Sequence, residues 1–178
     1  YLDSSIHDQN KQSVEILAFS EYIMPIDSYN FNNSEYTFID YNYALQLSQR
    51  DFTIDFDVNI SSYKAWATII TNGETSINNG SFYIYIGSTS YERKISIGFN
   101  YDGGNSNPYD SDSSAVIKGS KNNGSLVSET QLNENQFYHI TIVRNDRYIK
   151  IYLDGILDGH FKLVDGVELY NSTNPIYI

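Results

Sequence analysis

Two aspartates separated by one residue, Asp55-Phe56-Asp57, are the nearest approach in this 178-residue chain to a catalytic carboxylate pair. Residues i and i+2 of a strand share a face about 7 Å apart. Glycoside hydrolysis needs two carboxyl groups about 5 to 10 Å apart, one acting as acid and the other as base or nucleophile. The pair holds no glutamate, and two solvated aspartates on a sheet face is the plainer reading. The histidines offer no better route to catalysis. His7, His139 and His160 are scattered, no H-E-x-x-H spacing occurs, and there is no Gly-x-Ser-x-Gly elbow. Asp102-Gly103-Gly104 and Asn105-Ser106-Asn107 lack the lysine and following helix of a phosphate site, so they read as turn. No enzyme is expected from these residues.

Binding chemistry has more to work with. Asp102, Asp110 and Asp112 lie in one loop and could offer a hard cation such as Ca2+ the several oxygens it needs, although no EF-hand register is present and a solvated loop is the alternative. Seventeen tyrosines stand out, and Tyr83, Tyr85, Tyr148 and Tyr152 are expected opposite an isoleucine-rich core stripe. Sugars lay their C–H faces on aromatic rings while phenol, Asn and Asp groups bond their hydroxyls. These four are the expected carbohydrate-binding residues; outward tyrosines that merely suit the pleat are the alternative. Trp66, the one tryptophan, is expected in the core.

Strands must position these groups, because helical periodicity is nearly absent. Gln136 to Gly155 reads as a hairpin of two alternating strands with a tight turn at Asn145-Asp146 and a second turn at Asp154-Gly155. Asp51 to Ile60 alternates strictly: Phe52, Ile54, Phe56, Val58 and Ile60 point one way, Thr53, Asp55, Asp57 and Asn59 the other. Further short strands are expected within 14–19, 36–39, 43–47, 65–71, 81–86 and 93–100, at Val116, and within 156–163 and 175–178. Tyr101 to Ser114 is a long loop, and Lys118 to Asn123 is turn-rich. No fixed repeat is visible, which argues against a propeller or β-helix. The expected fold is all-β, a two-sheet antiparallel jelly-roll sandwich. It is expected to form a single domain over residues 1–178, too long for an immunoglobulin-like sandwich.

Charge narrows the partners. The net charge is −11, from 11 Lys and Arg against 22 Asp and Glu, with no basic cluster in the sequence to displace phosphate counterions, so nucleic acid is not an expected partner. An anionic membrane repels such a surface within a Debye length of about 8 Å. No apolar run approaches the roughly 20 residues of a spanning helix, so no membrane insertion is expected. The absence of cysteine excludes disulfides, thiolate catalysis and Cys-ligated metals. That absence fits a bacterial or phage surface protein, with an extracellular or cell-surface location expected, although cytosolic proteins also avoid disulfides; the Asn-, Ile-, Tyr-, Lys- and Ser-rich composition looks like that of an AT-rich genome. Five N-x-S/T triplets are explained by the abundance of Asn. The chain begins without Met and stops at Ile178 inside an expected strand, so it is expected to be a fragment of a larger protein lacking its final strand.

The series FTIDFDVNI, AWATIITNG, SFYIYIG, KISIGF, FYHITIVRNDRYIKIYLDG and ILDG resembles the strand order of the concanavalin A-like superfamily, particularly laminin G-like domains, from about Tyr43 to Ile178. FYHITIVRN followed by IKIYLDG is the most specific part, and the position of His139 in that family is structural. The same order resembles the jelly-roll half of the clostridial neurotoxin receptor-binding region. The laminin G-like closing strand is missing, Asp57 stands where relatives often have an aromatic, and the Glu-x-Asp-x-x-Glu arrangement of related glycosidases is absent. The resemblance implies a non-catalytic carbohydrate-binding or adhesive module that meets a glycan or a host or cell-surface protein, together with flanking domains of its own polypeptide. A structural spacer within a multidomain toxin-like or surface protein is the alternative.

Overall fold

The computed structural model describes residues 14–15, 38–40, 50–72, 82–87, 92–99, 116–122, 125–163 and 172–178, with backbone alone at 14–15 and 121–122. Thirteen strands lie among them. They are β1 (Val14–Glu15), β2 (Phe38–Ile39), β3 (Phe52–Asn59), β4 (Ala67–Thr71), β5 (Phe82–Ile86), β6 (Ile95–Phe99) and β7 (Val116–Lys118). They continue with β8 (Ser120–Asn122), β9 (Ser125–Val127), β10 (Phe137–Asn145), β11 (Tyr148–Leu153), β12 (Ile156–Lys162) and β13 (Ile176–Tyr177). A six-stranded sheet runs β1-β3-β10-β11-β12-β7, and a seven-stranded sheet runs β2-β13-β4-β5-β6-β9-β8. All pairs are antiparallel except β1 with β3 at one edge. This is the two-sheet jelly-roll sandwich that the alternation predicts.

The inner faces make one core. Phe52 and Ile54 of β3, Ile140 and Ile142 of β10, and Ile149 and Ile151 of β11 face it from the six-stranded sheet. Phe82, Ile84 and Ile86 of β5 and Ile95, Ile97 and Phe99 of β6 face it from the other. Alternation fixes the register, since a slip of one residue would turn each of these side chains to the wrong face. Each buried isoleucine contributes about 1.5–3 kcal/mol relative to its exposed state.

The hairpin that marks the fold is present, with its first turn one residue later than expected, at Asp146-Arg147. Asp146 adopts a positive φ of 54°, and its N–H donates to Asp51 Oδ1 at 2.6 Å. Arg144, buried on the inner side, donates through Nε to the Asp146 carbonyl at 3.1 Å. Burial lowers the Arg144 pKa against the opposing pull of Asp51 and Asp146. At the other end Asp154 and Gly155 both have positive φ, 50° and 77°, as a tight two-residue hairpin turn of the primed kind requires. Two strands depart from the sequence expectation. Residues 118–123 contain the edge strand β8 rather than turn alone, and Ser125–Val127 forms β9. Both are three residues long, too short for a period to declare itself. The expected strand at 43–47 and the loop at 101–114 lie outside the described residues.

Candidate functional site

The four expected tyrosines divide between two surfaces. Tyr83 and Tyr85 lie on β5, in the seven-stranded sheet, and Tyr148 and Tyr152 on β11, in the six-stranded sheet. All four are on outward faces, and the outward faces of a sandwich point in opposite directions. The structure therefore brings Tyr83 together with Tyr85 and separates both from Tyr148 and Tyr152.

On the seven-stranded sheet a third aromatic joins the pair. Trp66 stacks on Tyr85 with ring centroids 5.3 Å apart and planes 23° apart, and Tyr85 stacks on Tyr83 at 5.6 Å and 21°. Trp66 is 53% exposed, which corrects the expectation that it belongs to the core. The cause is local. In sequence Trp66 has the parity of Thr68 and of the core residue Ile70, but the pairing of β4 with β5 shifts register between Thr68 and Ile70. That irregularity places Thr68 opposite Tyr85 on the outer face while Ile70 pairs with the core residue Ile84. Trp66 itself sits in the turn before β4 at φ 66°, a left-handed conformation costly for a bulky side chain, and its N–H donates to the Gly87 carbonyl at 3.3 Å.

The tyrosines are fixed from below. Tyr83 pairs across the sheet with Gly98, and a Cβ at residue 98 would fall inside the Tyr83 ring, so glycine lets that ring cross β6. Its phenol then shares a hydrogen bond of 3.3 Å with the Ser125 hydroxyl on β9. Tyr85 is only 3% exposed, and its phenol pKa is raised by burial, against the opposing influence of the Ser125 and Ser96 hydroxyls. Tyr85 is thus a support for Trp66, and the rings left open to a ligand are Trp66 and half-buried Tyr83. The Tyr83 phenol is tied to Ser125, and the exposed polar side chains beside the rings are Lys64 and Thr68.

On the six-stranded sheet the Asp55-Phe56-Asp57 pair does share an outward face, and His139 of β10 lies between the two carboxylates. Its Nδ1 is 2.8 Å from Asp57 Oδ1 and its Nε2 is 3.0 Å from Asp55 Oδ1. Thr141 Oγ1 donates to Asp55 at 2.6 Å, and the His139 N–H donates to Asp154 Oδ1 at 2.9 Å. An imidazole facing a carboxylate at each nitrogen can donate to both only as the cation, so this geometry favours the protonated ring. Its pKa is raised, first by the hydrogen bond to Asp57; desolvation opposes the rise, and the charges of Asp55, Asp57 and Asp154 add to it. Among the described residues no group of three His, Asp or Glu is arranged to hold a metal ion. Asp102, Asp110 and Asp112 lie outside the described residues. No helix among the described residues is long and apolar enough to cross a membrane.

Residues 32–178 match the laminin G-like model of the concanavalin A-like lectin/glucanases superfamily. The chain belongs to this superfamily, whose members share the two-sheet jelly roll described above, and the match extends N-terminal of the stretch whose motifs carry the resemblance. Among solved structures, a candidate carbohydrate-binding protein from Bacteroides ovatus is similar, with a TM-score of 0.52, 13% identity and 82% of this chain covered. The chain spans 35% of that protein's length. No curated protein matches the sequence.

Proposed function

We propose that this domain is a non-catalytic carbohydrate-binding module, a lectin-like or adhesive unit of a larger extracellular or cell-surface protein of bacterial or phage origin. The observation that carries the reading is exposed Trp66, held in a strained turn with one face seated on Tyr85. A large ring left open to solvent on a rigid sheet gives up little conformational freedom on binding and offers a flat apolar surface to the C–H face of a pyranose. Backbone strain spent on an exposed side chain points to use of that side chain. The superfamily and the candidate binding role of the Bacteroides ovatus protein agree with a glycan as ligand.

The carboxylates support the non-catalytic part of the reading. A catalytic carboxylate must be free to reach the substrate. Asp55 and Asp57 are both engaged by His139, one at each ring nitrogen, and Asp55 is further tied by Thr141. A glycan array probed with the wild-type chain and with Trp66→Ala tests the proposal. Glycans retained by the wild type and lost by the variant support it. An array with no positive glycan, or one bound equally by both proteins, contradicts it.

A further inference from the structure

The outer face of the six-stranded sheet carries a second set of side chains that the aromatic site does not use. Along β11 the outward residues are Tyr148, Lys150 and Tyr152, so a lysine stands between two tyrosines. Across from them on β12, Tyr148 pairs with Lys162 and Lys150 with His160, and His160 pairs in turn with Lys118 of β7. The Tyr148 and His160 rings are in tilted contact at 5.5 Å. Lys118 is engaged by Glu129 at 3.5 Å and by the Leu157 carbonyl. Among the described residues Lys150 and Lys162 have no carboxylate partner. His160 Nε2 is shut off from solvent and has no hydrogen-bond partner among the described residues. On a chain of net charge −11 this is a local concentration of positive charge.

We infer that the strip of Tyr148, Lys150, His160 and Lys162 binds a single oxyanion, a carboxylate, sulfate or phosphate group, either free or carried on a sugar. Two ammonium groups with no carboxylate partner among the described residues supply charge-assisted donors, and the flanking rings of Tyr148 and Tyr152 give a sugar bearing that group an apolar rest. A polyanion is disfavoured, since Asp55 and Asp57 occupy the β3 side of the same outer face.

His160 makes the site sensitive to pH. The groups around it are Lys150 and Tyr148 on β11, Lys118 on β7 with Glu129 beside it, and Asp158 and Lys162 on its own strand. Asp158 is buried and held by Thr130. Burial, and then Lys150, lower the His160 pKa and favour the neutral ring. An oxyanion between the lysines opposes the Lys150 field and raises that pKa. Binding therefore takes up a proton and tightens as pH falls through the free-state value.

Histidine side-chain NMR of the wild-type chain, at constant ionic strength, tests this. Inorganic phosphate, an oligosaccharide bearing glucuronate and its neutral counterpart are each titrated in, and the Lys150→Gln/Lys162→Gln variant is run alongside. The first two ligands should raise the His160 pKa saturably, the neutral sugar should leave it unchanged, and the variant should bind at least about tenfold more weakly. An acidic sugar that binds about tenfold more tightly than phosphate identifies a sugar-borne group, and equal binding identifies a free oxyanion site. His139, held by Asp55 and Asp57, is the internal control. A His160 resonance that neither anion moves, or a shift undiminished in the lysine variant, overturns the inference.

Discussion

Trp66 and His139 show how single residues acquire their roles from their neighbours. Trp66 is exposed because a register irregularity in β4 separates its face from that of Ile70. An alternating pattern cannot report such a shift, so the sequence reading placed this residue in the core. Replacing it with alanine is expected to change stability by less than about 1 kcal/mol, as at most surface positions. Glycan affinity should fall at least about tenfold, as for an aromatic anchor; denaturant unfolding and calorimetric titration check the two halves. The position of His139 is usually structural in the family the sequence resembles, but its two carboxylate partners are not legible in the sequence, because they depend on the β3 to β10 register across 82 residues. Its raised pKa means that its contribution to stability is fully present below the unfolded value near 6.5 and is lost as pH rises through the folded value. The cluster is exposed, so the contribution is about 1 kcal/mol or less. Asp57→Asn should move the His139 pKa back toward 6.5, as read by NMR.

Long alternating strands declared themselves, and β8 and β9 did not. Phe52 to Asn59 and Tyr148 to Leu153 were readable because one face meets the core and the other meets solvent, which writes a period of two into the sequence. Within Ser120–Asn122 and Ser125–Val127 a few residues complete the end of the seven-stranded sheet, and only neighbouring strands show that they pair. The same dependence governs the tyrosines. Their outward direction followed from alternation, but their division between two sheets follows from strand order, which alternation does not encode. Gly98 ties element to site, since its missing Cβ is the space taken by the Tyr83 ring. Gly98→Ala should displace that ring, break its bond to Ser125 and destabilise the domain by about 1–3 kcal/mol through overpacking. Ile142→Ala, on the opposite sheet, should cost about 2–5 kcal/mol by leaving a cavity in the core while sparing the proposed glycan site. Thermal unfolding and glycan titration of the two variants separate these effects.

The whole molecule is a sandwich whose two outward faces differ in chemistry. The seven-stranded sheet carries the stacked rings of Trp66, Tyr85 and Tyr83, and the six-stranded sheet carries a carboxylate and histidine cluster at one side and, at the other, lysines with no carboxylate partner among the described residues. A core shared by both sheets leaves each outer face free to vary without loss of the fold, which is how one architecture serves many ligands. Because the chain has a single tryptophan and that residue is the exposed ring of the aromatic site, its fluorescence reports the site directly. Titration of the wild-type chain with an array-positive glycan should change Trp66 emission saturably, with a midpoint equal to the calorimetric dissociation constant. Calorimetric binding of that glycan with Trp66 emission unaltered would contradict a site built on this residue.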